Sequence, residues 1–275
     1  MKIAIIGCGY VGQAIAKQWY AAGHQLTTTT TSPERVPQLA DFSHHVKVLE
    51  GDNQDTLREL CDGQDVILLS VGSKGRTEEK YRYAYLQTAK NLKEALRSNS
   101  TVKQVIYTSS YSVVGNHDGA WVDETTTDQP ANIFAEILLE VEQVLSSIAT
   151  PDRNVCILRL GGIYGEGREI LKIFKGAMGQ TRAGAGDEYG NWVHLTDIVA
   201  AIAFARQQNL TGLYNIVSDE PMQRKTMLDQ LAAKYNLEPV LWDPSQSSAR
   251  AFDVRVSNQK IKSAGFTFTY PTIQL

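Results

Sequence analysis

Long apolar runs and a strong excess of charge are both missing from this 275-residue sequence. No stretch reaches the roughly 18 consecutive apolar residues that a bilayer-spanning helix needs, so no membrane partner is expected. Lys+Arg (27) and Asp+Glu (30) nearly cancel, leaving a formal net charge of −3. Such a balance lacks the basic field that nucleic acid or an anionic surface selects. Cysteine is scarce as well. Cys8, Cys61 and Cys156 are odd in number and far apart, which argues against a disulfide framework and for buried free thiols in a reducing cytoplasm. No Cys/His spacing suits a metal. Met1-Lys2 leads straight into an apolar run rather than into a charged-then-apolar leader, so no signal peptide is expected and a cytoplasmic location is. The whole sequence is 43% hydrophobic and 21% charged, the composition of an ordinary globular chain. Its length suits one large α/β domain, or a nucleotide domain with a smaller partner.

Short apolar, β-branched runs recur along the first 160 residues. They are "KIAIIG" (2–7), "HQLTTTTT" (24–31), "HVKVLEGD" (45–52), "DVILLSVG" (65–72), "KQVIYTSS" (103–110) and "NVCILRL" (154–160). Between them lie segments of helical period. Val11, Ala14, Ile15 and Trp19 mark one face of the first. Tyr81, Ala84, Tyr85, Thr88, Leu92 and Ala95 mark one face of a helix at about 77–98, and another helix follows at about 131–149. Strands alternating with helices predict a doubly wound parallel sheet of the Rossmann type. Continuous rather than alternating apolar strands fit a sheet covered on both faces. Beyond residue 160 the regularity weakens, and "GGIYGEG", "AGAGDEYGN" and a polar tail read as a small C-terminal substrate lobe. The expected division is a nucleotide-binding domain over 1–160, to which 192–217 returns, and a lobe over 161–191 and 218–275.

The first turn carries chemistry. Gly7-x-Gly9-x-x-Gly12 follows a strand and opens a helix, the setting in which such glycines bind a dinucleotide. Gly7 permits the tight turn, Gly9 lets backbone approach a pyrophosphate, and Gly12 lets helix pack close to strand. Cys8, Tyr10 and Val11 complete the loop, and the helix N-terminus offers free N–H groups to the phosphates. An acid at the end of strand two would bind the ribose 2′-hydroxyl of NAD. Here that end reads Thr29-Thr30-Thr31-Ser32, with Arg35 close by. Hydroxyls such as those of Thr30 and Ser32 with one arginine favour NADP, with NAD as the alternative. Ser32 is also placed to cap a helix whose first turn holds Pro33.

Further stretches join these: "VLEGD", "YTSSYSVVG" (107–115), "LRLGGIYGEG" (158–167), "WVHLTDIVAAI" (192–202), "YNIVSDEP" (214–221) and "SAGFTFTYP" (263–271). In that order, over nearly the whole chain, they resemble the extended short-chain dehydrogenase/reductase superfamily, its NAD-dependent epimerase/dehydratase group. The Gly-x-Gly-x-x-Gly spacing is similar to that of the atypical branch. The resemblance implies that Asp52 and Asn53 sit beside the adenine and that Ser70, Val71 and Gly72 form the turn over the adenosine ribose. It places Ser109 and Ser110 next to the nicotinamide, with Ser110 at the family's catalytic serine or threonine. Arg159, Tyr164, His194 and Asp197 match recurrent positions near the domain junction. It further implies a small-molecule substrate or effector, and a homodimer through the helices at about 77–98 and 131–149.

One absence cuts against the resemblance. The family's acid–base pair is Tyr-x-x-x-Lys on the helix after strand five. Here that helix reads "PANIFAEILLEVEQ", which holds no Tyr, Lys, His or Arg. Phe134 stands at the tyrosine position and Leu138 at the lysine position, and neither carries a proton. Tyr111, one residue past Ser110, is the remaining candidate acid. Arg159 and Arg182 are candidates to hold an anionic group, with the glycine-rich loops at 161–167 and 183–190 as cleft walls. Two readings remain. The first is an NAD(P)-binding oxidoreductase or epimerase-like enzyme with a rearranged acid–base set, acting on a small polar or nucleotide-sugar-like compound. The second is an NADP(H)-binding sensor or regulatory protein with little or no catalysis.

Overall fold

The computed structural model describes residues 1–248, 250 and 252–275. Its centre is a seven-stranded sheet of β1 (Lys2–Ile6), β2 (Gln25–Thr30), β3 (His45–Val48), β4 (Val66–Leu69), β5 (Gln104–Ser110), β6 (Asn154–Leu160) and β7 (Gly212–Ile216). The spatial order is β7-β6-β5-β4-β1-β2-β3. Strand β1 pairs in parallel with β2 and β4, β2 with β3, and β4 with β5. The chain therefore starts in the middle of the sheet, winds outward to β3, then reverses at β4. The crevice at that reversal is where doubly wound sheets bind ligands. The expected α/β architecture is the one observed, and each apolar run read from the sequence is a strand; the 154–160 run keeps its full length and the others are shortened by a residue or more.

Strand β2 shows how a polar sequence fills a core position. Thr27, Thr28, Thr29 and Thr30 are all buried. Their β-branched shape suits a strand, and hydroxyl after hydroxyl has a partner. Thr28 Oγ1 donates to Ser43 Oγ at 3.1 Å, Thr29 Oγ1 accepts from the Gly7 N–H at 2.9 Å, and Thr30 Oγ1 accepts from the Ser32 N–H at 3.1 Å. Burial without those bonds would cost each hydroxyl about 1–3 kcal/mol. Next to Thr30 lies one difference from expectation. Ser32 precedes a short 3₁₀ turn, Pro33–Arg35, and makes no side-chain capping bond there. Its Oγ accepts instead from Lys74 Nζ at 3.4 Å.

Helix α1 (Tyr10–Ala21) packs Val11, Ile15, Ala16 and Trp19 inward. Helix α2 spans Gln54–Cys61. A third helix, α3, covers 78–96 and is not uniform: Glu78–Tyr81 and Thr88–Leu96 are α-helical, and Arg82–Gln87 between them is π-helical. The wider turn shifts the inward face. Leu86 and Ala89 join Thr88, Leu92 and Ala95 in the interior, while Tyr81 and Tyr85 stay half-buried. Helix α4 (Ile133–Ser146) buries Ala135, Ile137, Leu138, Val141, Glu142 and Leu145. Ile137, Val141 and Leu145 share one apolar cluster with Leu86, Leu92, Leu96, Tyr107 and Ile157. No helix among the described residues is long and apolar enough to cross a membrane.

Contacts divide the chain into two compact units. The first holds 1–110, 133–159 and 199–213, and the second 111–132, 160–198 and 214–275. Residues 111–132, expected with the nucleotide-binding domain, thus cluster with the second unit, and of 192–217 only 199–213 cluster with the first. The second unit has its own apolar centre of Tyr164, Ile170, Met227, Leu228, Leu231 and Val240.

All three cysteines are buried free thiols, as expected. Burial pushes the Cys8 and Cys61 thiols up to about 12, so both remain protonated at pH 8, where a thiolate is the reactive form. Native protein is expected to release almost no chromophore from 5,5′-dithiobis(2-nitrobenzoate) at pH 8 over minutes. In 8 M urea, a concentration on the order of that which unfolds such domains, the three thiols should react. Rapid release of even one equivalent by native protein would contradict the described burial.

Candidate functional site

In the first unit, the carboxyl ends of β1, β2 and β4 surround a cavity of about 600 Å³. Its floor is the glycine turn. Gly7 has φ +88°, and a Cβ there would stand 2.6 Å from the Ser70 carbonyl oxygen. Only glycine permits that backbone and that crossing of β1 by the β4 loop. A Cβ on Gly12 would stand 2.5 Å from the Gly7 carbonyl oxygen, whereas one on Gly9 would meet nothing within 4 Å. Gly12 therefore serves helix-to-strand packing, and Gly9 leaves open space in the cavity wall. Helix α1 begins there with no side chain capping its N-terminus and no acid in its first turn. Its leading N–H groups are left for an anion, and the helix dipole adds to the attraction. These features fit the pyrophosphate of a dinucleotide.

Several of the residues singled out in the sequence line this cavity: Gly7, Cys8, Gly9, Thr30, Ser32, Arg35, Ser70, Val71 and Gly72. Others lie apart from its wall. Tyr10, Val11 and Gly12 belong to the first turn of α1. Asn53 caps α2, its Oδ1 accepting from the Thr56 N–H at 3.0 Å, and Asp52 is exposed beside it. Two cations in the wall were not read from the sequence, Lys74 and Lys80. They come from the loop after β4 and the start of α3, far in sequence from Arg35. Tyr83 also faces the cavity, and its hydroxyl donates to Glu50 Oε2 at 2.5 Å.

At the carboxyl end of β5, Ser109 and Ser110 point differently. Ser109 is buried and donates to Glu142 Oε1 at 2.5 Å. Glu142 in turn faces Arg159, which is 2% exposed. Arg159 Nε donates to Oε1 and Oε2 at 3.0 and 3.2 Å, and Nη2 donates to Oε2 at 2.7 Å. Arg159 is therefore committed to a buried carboxylate, which corrects its reading as an anchor for an outside anion. Ser110 is half-buried at the strand end. Phe134 is half-buried. Its ring lies 4.7 Å from that of Tyr81, and the Arg76 guanidinium sits over it at 5.2 Å. Leu138 is buried in the interior.

In the second unit, a cavity of about 370 Å³ is lined by Tyr111, Gly162, Phe174, Gly190, Asn191, Trp192, Arg224, Arg250 and Phe252. Gly162 and Gly190 come from the two glycine-rich loops expected to wall a cleft. The Tyr111 hydroxyl accepts from Arg250 Nη2 at 2.9 Å, and its ring meets Phe252 edge-on at 5.7 Å. Arg182 is exposed, donates to the Gly176 carbonyl at 3.4 Å, and does not line this cavity. Tyr164, His194 and Asp197 hold the C-terminal residues. Tyr164 Oη accepts from the Gln274 N–H, and Asp197 accepts from the Thr269 and Tyr270 N–H groups at 2.7 and 2.9 Å. His194 stacks on Tyr270 at 3.9 Å and its Nδ1 accepts from the Thr196 N–H. Burial holds this imidazole below its ordinary range, with Asp197 opposing. No cluster of metal-binding side chains occurs among the described residues.

The model of the NAD dependent epimerase/dehydratase family matches residues 3–216, and the chain belongs to that family. Its sequence is 28% identical to Protein YeeZ of Escherichia coli (strain K12) over 279 residues, covering 98% of this chain and 96% of that protein. The fold is shared with MoeE5 in complex with UDP-glucuronic acid and NAD (TM-score 0.82, 17% identity, 97% of this chain and 93% of that one). It is shared too with human epimerase family protein SDR39U1 with NADPH (TM-score 0.79, 16% identity, 99% and 96%).

The buried Glu142–Arg159 pair generates an expectation about stability. Glu142→Ala takes the carboxylate from a buried guanidinium and the acceptor from Ser109. It is expected to lower the unfolding free energy by about 3–5 kcal/mol, read from urea denaturation. Glu142→Gln keeps an acceptor and is expected to lose less. An alanine variant as stable as the parent would show that the pair does not hold β5 to β6.

Proposed function

We propose that this protein is an NADP(H)-dependent oxidoreductase of the epimerase/dehydratase type. In this reading it reduces or oxidises a small polar carbonyl or hydroxyl compound. The first unit holds the cofactor: the glycine turn takes the pyrophosphate, Ser70, Val71 and Gly72 cover the adenosine ribose, and Arg35, Lys74 and Ser32 take the 2′-phosphate. Two cations and a hydroxyl at the end of β2, with no acid on that strand end, support NADP over NAD. The cofactor supplies or accepts hydride.

The observation that carries the catalytic part is the Tyr111 hydroxyl with the Arg250 guanidinium donating to it at 2.9 Å. The oxygen's lone pair is engaged by Arg250, so its own proton is free to be given to a substrate oxygen. The phenolate left behind faces a fixed positive charge. A lysine on a helix one turn after a tyrosine would do the same electrostatic work, and here Phe134 and Leu138 occupy those places. Ser110, at the carboxyl end of β5, is the other hydroxyl to which this reading gives a catalytic role. A positioned acid of this kind is worth about 10²–10⁴-fold in rate. Phe134 and Leu138 also favour a second reading, a nucleotide-binding regulatory protein that turns over little.

Titration with NADPH and NADH tests the cofactor assignment. Arg35→Ala and Lys74→Ala are each expected to weaken NADPH binding about tenfold, the worth of one charge-assisted contact, and to leave NADH within about twofold. Equal losses for both nucleotides would overturn the preference. Turnover of bound NADPH across carbonyl compounds and nucleotide sugars tests the chemistry. Tyr111→Phe is expected to lower kcat by about 10²–10⁴-fold with the cofactor still bound. Tight NADPH binding with no turnover above a Ser110→Ala control would decide for the regulatory reading.

A further inference from the structure

The cavity of the second unit carries a more specific assignment. Its wall combines two guanidiniums, Arg224 and Arg250, with four aromatic rings, Tyr111, Phe174, Trp192 and Phe252. Neither guanidinium forms an ion pair among the described residues. Arg250 bonds to the Tyr111 hydroxyl and, through Nε, to the Phe252 carbonyl at 3.0 Å, both neutral acceptors. Arg224 lies 5.6 Å over the Trp242 ring. Burial holds Arg224 below its ordinary range, Glu188 opposes this, and the nearby charges of Arg250 and Arg182 add to it. Two like charges share this wall; Glu188, buried nearby, offsets Arg224 without forming an ion pair with it, and an anion joining both guanidiniums would relieve the repulsion between them.

The aromatic part of the wall is rigid. A Cβ on Gly162 would stand 2.7 Å from Trp192 Cε3, and one on Gly190 would stand 2.7 Å from its Nε1. Trp192 is thus set between two stretches of backbone that only glycine keeps out of its way. Phe174 meets Trp192 edge-on at 5.6 Å, and Tyr111 meets Phe252 edge-on at 5.7 Å. Flat, pre-positioned rings present π-faces and edges to a flat ligand at little cost in side-chain entropy. A guanidinium fork matches a planar carboxylate in the same way.

We propose that this cavity binds an aromatic carboxylate, its ring among Phe174, Trp192 and Phe252 and its carboxylate on Arg224 with Arg250 alongside. The assignment deepens the oxidoreductase reading and rests on it for the role of that ligand as substrate. The binding itself needs no cofactor, so it is measured apart from hydride chemistry.

Calorimetric titration of the full chain at low ionic strength with benzoate, benzamide, cyclohexanecarboxylate and inorganic phosphate tests it. Benzoate is expected to bind about tenfold or more tightly than benzamide, the worth of a charge-assisted hydrogen bond, and more tightly than cyclohexanecarboxylate. Arg224→Gln is expected to remove the advantage of benzoate over benzamide. The comparison of the four ligands on unmodified protein stands even where that variant folds poorly. Equal binding of benzoate and benzamide, no heat from benzoate, or phosphate as the tightest of the four would each overturn the proposal. NADPH binding to the same samples reports on the first unit, so a failed benzoate titration with intact NADPH binding condemns the aromatic carboxylate alone.

Discussion

One buried ion pair sets the geometry on which the candidate chemistry depends. Glu142 reaches from α4 to Arg159 near the end of β6 and takes the Ser109 hydroxyl of β5 on the way. Removing both charges from water is costly, and the cost is recovered only when every lone pair and proton finds a partner in good geometry. The three N–H···O bonds of 2.7–3.2 Å to one carboxylate meet that demand. A helix and two strand ends are fixed at a single point, and Ser110 is the next residue along. A hydrophobic trio could hold the same elements together, but it would not fix the strand ends in direction, because apolar contact is not directional. Tyr107, fully buried beside the pair, has its hydroxyl pushed well above the ordinary range by that burial and by the Glu142 charge.

The same pair marks where the sequence stopped being legible. The strands, the sheet type and the glycine turn could be read because their signals are local. An apolar β-branched run, a glycine where β1 must be crossed, and a helix that starts without an acid are each written in a few consecutive residues. Partners are not written that way. Arg159 and Glu142 lie 17 residues apart, and nothing in either neighbourhood says that they meet, so Arg159 looked like a cation in want of a ligand. Lys74, Arg224 and Arg250 are illegible in the sequence for the converse reason. Each sits in an unremarkable polar stretch, and only the fold brings it to a cavity wall. Ser32 had the residue type and place of a helix cap, yet the 3₁₀ turn after it leaves its hydroxyl to Lys74.

Charge is distributed between the units by a common rule. The chain as a whole is slightly acidic, but each unit brings cations to a cavity wall, Arg35, Lys74 and Lys80 in one, where Glu50 and Glu79 also stand, and Arg224 and Arg250 in the other. Cations converging on a concave surface in an otherwise balanced protein concentrate field where low-dielectric walls preserve it. The net charge of the sequence hides this, because it sums over the whole surface, including exposed pairs such as Arg82–Glu78, Arg97–Glu94 and Lys90–Glu140.

The π-helical turn at Arg82–Gln87 has a consequence for how α3 divides its duties. A regular helix presents one stripe along its whole length, so a residue that faces the core fixes what its neighbours three and four places on must face. A wider turn breaks that phase relation. Ahead of it, Tyr81 is free to pack on Phe134 while Lys80 meets the cavity of the first unit. Behind it, Leu92 and Leu96 keep their own alignment with the sheet. The two halves of α3 are thereby decoupled in register, and the amino acids bordering the cavity can drift through mutation without rotating the hydrophobic half out of its seat.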